Sequence, residues 1–124
     1  MKTVLVVDDN PETASVLVEI LTLSGFPAKA AHGAMEGLAA VEELRPDIVF
    51  LDIGMPVMNG YEVAQAIRAN ASLPQPVLVA FTAWDDPGSK ARALACGFDL
   101  HLTKTSPFDV LVAQIKRLLP EAHS

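Results

Sequence analysis

The chain has 124 residues, 51% of them apolar and 19% charged, with a formal net charge of −6. That hydrophobic content suffices for one domain around a well-filled core, and the acidic balance argues against direct contact with nucleic acid or an anionic membrane surface. No apolar run approaches the roughly 18 residues of a membrane span. The N-terminal apolar stretch, residues 3–7, is too short for a signal peptide, and the lone Cys96 has no partner for an internal disulfide, so a cytoplasmic protein is expected.

The first apolar run, Val4–Val7, is short, β-branched and uninterrupted, which suits a strand buried on both faces. It ends in Asp8-Asp9. Asn10-Pro11 then opens a helix, with a capping residue followed by proline at the first helical position. Ala14, Leu17, Ile20 and Leu21 share one face of that helix. Gly25 stands just past its end, where a left-handed cap is expected. Ala28–Ala31 is a strand by its place in the alternation, and Leu38, Val41 and Leu44 give the next helical stripe. Ile48–Leu51 is the second clear strand and ends in Asp52. Val63, Ala64 and Ile67 mark a third helix, followed by a polar, proline-bearing loop over residues 69–76. Residues 77–81 form another clear strand and lead to Thr82; Asp86-Pro87 opens a fourth helix that Gly97 closes. A positional strand over residues 98–102 precedes Lys104. Ser106-Pro107 then opens the most regular helix, with Phe108, Leu111, Val112, Ile115 and Leu118 on its apolar face. There is no internal repeat or linker, so residues 1–124 are expected to form one domain with a short tail at 120–124.

Strand–helix repeated five times predicts an α/β fold with helices on both faces of a parallel sheet. Ligands in such folds bind beyond the carboxyl ends of the strands. Asp8, Asp9, Asp52, Thr82 and Lys104 all follow apolar strand runs, so they should lie along that one edge. Three converging carboxylates repel one another unless a cation neutralises them, and oxygen ligands suit a hard ion such as Mg²⁺. Asp52 would then be a nucleophile able to attack phosphorus. Lys104 would offer a point charge and Thr82 a hydroxyl to the phosphoryl oxygens, which is the positioning and charge neutralisation that phosphoryl transfer needs. Taken singly, each residue has a plainer role: a helix cap or turn for the aspartates, a turn for Thr82, solvation for Lys104. Their coincidence on one edge favours the joint reading.

The segments Val4–Val7 with Asp8-Asp9-Asn10, Pro46-Asp47-Ile48-Val49-Phe50-Leu51-Asp52-Ile53-Gly54-Met55-Pro56-Val57-Met58-Asn59-Gly60, Phe81-Thr82-Ala83, and Lys104 resemble the response regulator receiver domain of two-component signalling, at matching spacings and over essentially the whole chain. The resemblance implies a flavodoxin-like (βα)₅ sandwich with a five-stranded parallel sheet in the order 2-1-3-4-5. It implies that Asp52 accepts a phosphoryl group from a histidine kinase phosphohistidine, so that the chain is a switch and not an enzyme acting on other substrates. Asp9 would bind Mg²⁺ more directly and Asp8 partly through water, with Asp52 and the backbone carbonyl of Gly54 completing the protein ligands. Thr82 would move toward the phosphoryl group, and a ring on the fifth strand would turn inward, changing the surface of helix 4, strand 5 and helix 5. Implied partners are a sensor or hybrid histidine kinase or a phosphotransfer protein, and a downstream protein on that surface, with a homodimer possible. The chain ends soon after its fifth helix, so no output domain is expected within it; a free-standing domain and a piece of a larger regulator or hybrid kinase both stay open.

The sequence departs from the family pattern in three places. Thr105 follows Lys104 where proline is usual, and a cis bond before threonine would cost roughly 2.5–4 kcal/mol, so a trans loop is expected. His101 holds the switch-ring position; it either swings inward or is a partly exposed histidine without a signalling role. Gly54 and Trp84 occupy the variable positions flanking the site, beside Met55 and Ala83. Glycine cannot orient an attacking water and the indole could shield an acyl phosphate, so slow self-dephosphorylation is expected, unless Trp84 packs away from the site. Met55, Pro56 and Met58 read as loop-shaping residues, and Cys96 as a small buried hydrophobe. An aspartyl phosphatase would space its two acids differently, and a flavodoxin-like carrier would want a hydroxyl- and glycine-rich phosphate loop. A nucleotide loop is absent. A receiver-like binding module that works without phosphorylation is the remaining alternative.

Overall fold

A computed structural model describes residues 3–83 and 86–118. The strands are β1 (Val4–Val7), β2 (Ala28–Ala31), β3 (Ile48–Leu51), β4 (Val77–Thr82) and β5 (Leu100–Thr103). They alternate with α1 (Pro11–Leu23), α2 (Ala34–Leu44), α3 (Gly60–Ala69), α4 (Pro87–Ala95) and α5 (Phe108–Leu118). All neighbouring strands pair in parallel, in the order β2-β1-β3-β4-β5. This is the doubly wound sandwich that the alternation predicts.

Side-chain alternation along the strands divides the interior into two layers. Val4, Val6, Ile48, Phe50, Val79 and Phe81 face α1 and α5, whose Leu17, Leu21, Leu111 and Ile115 complete that layer. Leu5, Val7, Val49, Leu51, Leu78 and Ala80 face α2, α3 and α4, against Val41, Ile67 and Ala93. Strands buried on both faces therefore have to be continuously apolar, and β1 and β3 are.

Helix starts follow local chemistry. The Asn10 carboxamide oxygen accepts from the N–H groups of Glu12 and Thr13 at 3.0 and 3.2 Å, and Pro11 fills a position whose missing N–H costs nothing. Asp86 caps α4 by accepting from the Ser89 N–H at 3.0 Å. Gly25 and Gly97 sit past the ends of α1 and α4 at φ 97° and 106°, as helix-terminating glycines should.

Five expectations need correction. The fifth strand is Leu100–Thr103, not residues 98–102, because the Phe98 N–H is used to close α4 on the Ala93 carbonyl and the Asp99 N–H donates to the Leu78 carbonyl. The fourth strand runs one residue further and includes Thr82. The last helix begins at Phe108, so Pro107 stands before it and accepts from Val110 and Leu111 in place of being its first helical residue. Leu44 and Phe108 lie at the edges of their apolar stripes and are 41% and 45% exposed. Cys96 is half-buried against the core and not fully enclosed.

Candidate functional site

Backbone pairing carries past the ends of the strands and fixes the site. The Asp8 N–H donates to the Ala31 carbonyl at 3.0 Å, Asp52 to Val7 at 2.9 Å and Lys104 to Thr82 at 2.8 Å. Three of the predicted residues are thus held by sheet-like bonds just beyond β1, β3 and β5, while Thr82 ends β4 opposite Thr103. Asp8, Asp52 and Thr82 are the buried polar side chains of the described structure, and Asp9 is exposed.

Asp8, Asp9 and Asp52 each present a carboxylate oxygen, all within 4.8 Å of one another. The Lys104 Nζ lies 2.8 Å from Asp8 Oδ2 and 3.5 Å from Asp52 Oδ2. The Gly54 N–H donates to Asp52 Oδ1 at 3.3 Å, and the Asn10 N–H to Asp8 Oδ1 at 2.9 Å. Burial and then the neighbouring Asp8 charge push the Asp52 carboxyl above its ordinary value; Lys104 and the Gly54 N–H oppose this without cancelling it. For Lys104, burial is the largest single influence and pulls the ammonium down. It is outweighed by the hydrogen bond to Asp8 and the charges of Asp52 and Asp8, so the net shift is upward.

One ammonium facing three carboxylates leaves the pocket short of positive charge. The donors are hard carboxylate oxygens, two of them buried, so the residues fit a hard divalent cation. The arrangement places a buried carboxylate, a cationic side chain and a hydroxyl-bearing residue at one edge of the sheet.

The remaining expectations divide. The Lys104-Thr105 bond is trans, as no cis peptide occurs among the described residues. His101 is half-buried in the middle of β5, in register with Ala80. Gly54 and Ala83 are exposed, and Met55 is buried in the core layer of α2 and α3, which fits a loop-shaping role. Trp84 and the tail at 120–124 lie outside the described residues.

Three residues given no role from sequence matter here. A Cβ on Gly60 would strike the Asp52 carbonyl oxygen and come within 2.7 Å of Ile53 Cα, so glycine lets α3 start directly on the Asp52 backbone. An isolated glycine after the capping Asn59 was the available signal. Arg68 on α3 donates to the carbonyls of Gly97 and Pro76 at 2.9 and 2.8 Å and pairs with Asp99 at 2.8 Å. It thereby ties α3 to the segment leading into β5. Tyr61 is buried beneath α4, with the Arg92 guanidinium 4.1 Å above its ring. Sequence alone offers no sign of either contact, because the partners are far apart in the chain.

The response regulator receiver domain family model matches residues 4–116. PrrA, a transcriptional regulatory protein of Mycobacterium tuberculosis, is 40% identical over 117 residues, covering 94% of this chain and 49% of PrrA. The DNA-binding response regulator MtrA of Mycolicibacterium smegmatis is 36% identical over 116 residues, covering 94% of this chain and 50% of MtrA. The chain thus spans about half the length of these curated relatives. The chemotaxis protein CheY4 of Vibrio cholerae superposes with a TM-score of 0.89 at 28% identity, covering 96% of this chain and 99% of that one. Fold, strand order and sequence similarity agree, and the chain belongs to the response regulator receiver domain family.

Proposed function

We propose that this domain is a phosphorylation-operated switch in which Asp52 receives a phosphoryl group from the phosphohistidine of a sensor or hybrid histidine kinase, or of a phosphotransfer protein. The single observation that carries the reading is the cluster of three carboxylate oxygens within 4.8 Å, with the Lys104 ammonium at 2.8 and 3.5 Å from two of the acids. An Asp52 oxygen attacks phosphorus, the P–N bond to the donor imidazole breaks as the P–O bond forms, and the imidazole, already carrying a proton on its other ring nitrogen, takes the P–N electron pair and leaves neutral. Lys104 exchanges part of its contact with Asp8 for the phosphoryl oxygens, and the Thr82 hydroxyl donates to them. Asp8, Asp9, Asp52 and the Gly54 carbonyl would hold Mg²⁺, which supplies charge neutralisation for the transferring group. The domain acts on its own aspartate and not as an enzyme on separate substrates.

His101 and the α4–β5–α5 surface are proposed as the output side, recognised by a downstream protein. The net charge of −6 is our ground for proposing that these 124 residues do not themselves contact nucleic acid. No described helix is long and apolar enough to cross a membrane, and we propose a cytoplasmic location and a single domain.

Intact-mass spectrometry after incubation with Mg²⁺ and acetyl phosphate tests the reading. The expected result is one labile adduct of PO₃ mass, lost in Asp52→Asn and suppressed by EDTA. An unmodified wild type, or an Asp52→Asn variant labelled equally well, would overturn it and leave the phosphorylation-independent binding module as the better account.

A further inference from the structure

Asn59-Gly60 is the one place in the chain where an asparagine or aspartate is followed by glycine. In an open chain such a pair loses ammonia spontaneously, because glycine has no side chain to shield its amide nitrogen. The Gly60 nitrogen gives up its proton and bonds to Asn59 Cγ, the bond from Cγ to the carboxamide nitrogen breaks, and ammonia leaves a cyclic imide. Water then adds to one of the two imide carbonyls and breaks its C–N bond, giving aspartate or isoaspartate. Of the other asparagines, Asn10 precedes a proline, which has no N–H, and Asn70 precedes Ala71. The fold restrains each atom of this chemistry at Asn59. Gly60 is buried and its N–H donates to the Ile53 carbonyl at 2.9 Å, so the attacking nitrogen is already committed. Asn59 Oδ1 accepts from the Glu62 N–H at 3.0 Å, which holds the carboxamide over the first turn of α3, and Glu62 Oε1 accepts from the Asn59 N–H at 2.9 Å. Closure also requires the Gly60 nitrogen to swing into line with the Asn59 Cβ about the Cα–C bond, and the extended ψ of 172° holds it out of line.

We propose that Asn59 is a site of spontaneous isoaspartate formation gated by the reciprocal cap of α3: sealed while the cap is closed, and reactive when the first turn of α3 opens locally. Opening frees the Gly60 N–H and the Asn59 carboxamide together, because the same turn holds both. The two products differ in consequence. Aspartate caps a helix as well as asparagine does, so that product leaves the start of α3 in place. Isoaspartate runs the main chain through the former side chain and inserts a methylene immediately before Gly60. Gly60 packs on the Asp52 backbone with no room even for a Cβ, so the lengthened chain cannot keep α3 seated there. The modification is therefore an irreversible loss of the geometry that presents Asp52, at a rate set by how often the first turn of α3 frays. The inference does not depend on Asp52 being phosphorylated.

Peptide mapping by mass spectrometry during prolonged incubation of the chain in mildly alkaline buffer tests it, with aspartate and isoaspartate resolved by chromatography. Conversion is expected at Asn59 and not at Asn10 or Asn70, and about tenfold or more slower in the folded chain than in the chain unfolded in guanidinium chloride. Glu62→Ala removes the bond to the Asn59 N–H and should speed conversion of the folded chain several-fold. Asn10→Ala removes the cap of α1 and lowers overall stability by a similar amount, so it separates local from global opening; it should leave the rate at Asn59 unchanged. The isoaspartate form, separated by ion exchange, should unfold at a lower urea concentration than the Asn59→Asp variant. Equal rates in the folded and unfolded chains, no conversion at Asn59 in either, equal acceleration by Glu62→Ala and Asn10→Ala, or an isoaspartate form as stable as Asn59→Asp would each overturn the proposal.

Discussion

Val57 is a β-branched residue held at φ 70° with its side chain almost wholly in solvent, 97% exposed. The Met58 N–H donates to the Pro56 carbonyl at 2.7 Å, closing a three-residue turn with Val57 at its tip. Positive φ in that turn is the rarer and more strained of its two forms. A left-handed conformation costs an L-residue about 1–2 kcal/mol, whereas glycine loses about 0.5–1 kcal/mol in unfolded-chain entropy. No packing is at stake, so Val57→Gly should stabilise the protein by roughly 0.5 kcal/mol, read from the urea midpoint at unchanged m-value. The opposite sign of charge and burial governs Asp52. Its carboxyl titrates above the ordinary value in the folded, metal-free protein. The stability it contributes is therefore complete below the unfolded pKa of about 3.8 and is lost as pH rises through the folded one. Asp52→Asn should accordingly raise the melting temperature in EDTA at pH 7, with the advantage shrinking as pH falls toward 4. A variant that melts below wild type at neutral pH would show that Asp52 is not under electrostatic strain.

At the scale of elements, the β3–α3 connection does two tasks in eight residues, presenting Asp52 and starting α3. The start is strong: Asn59 accepts from the Glu62 N–H at 3.0 Å and Glu62 accepts from the Asn59 N–H at 2.9 Å, a reciprocal cap. The first residue of that helix, Gly60, has no room for a Cβ against the Asp52 backbone. Two effects compete in Gly60→Ala. Helix propensity would favour alanine by up to about 1 kcal/mol, while the contact with unyielding backbone should cost about 1–3 kcal/mol. The clash wins, so a net loss of stability is expected in urea unfolding. A several-fold weaker Mg²⁺ affinity by calorimetric titration should accompany it, because relief of the contact moves Asp52. Equal or greater stability with unchanged Mg²⁺ binding would mean that α3 shifts and the site does not.

For the whole molecule, the sheet brings together three carboxylates and one ammonium, a set of charges that fits an additional cation. A ligand that binds the folded state alone stabilises by RT ln(1 + [L]/Kd), about 2.7 kcal/mol at a hundredfold excess over Kd. Thermal melts should therefore rise with added Mg²⁺, by a steady increment for each tenfold increase once Mg²⁺ exceeds Kd, and Asp8→Asn/Asp9→Asn should remove the increment while keeping the fold. A wild type indifferent to millimolar Mg²⁺ would count against the metal reading. Outside the acidic pocket, Arg68 joins α3, the loop before β4 and the entry to β5, so the half of the molecule carrying α4 is tied down at its base and leans on Tyr61 near its start.

The sequence by itself determined the alternation of strands and helices, because strands covered on both faces must be continuously apolar and helix ends need caps that local residues such as Asn10-Pro11 and Asp86-Pro87 provide. It also determined that Asp8, Asp52, Thr82 and Lys104 would share one edge, since parallel strands all point the same way. Tertiary structure decided what depends on distant partners. β5 begins at Leu100 and not at residue 98 because α4 claims the Phe98 N–H and the Asp99 carboxylate takes the Leu78 N–H at 2.9 Å. The need for glycine at position 60, the reach of Arg68 and the choice of Lys104 to sit closer to Asp8 than to Asp52 belong to the same class. Each is set by a contact between segments remote in the chain, which no local pattern encodes.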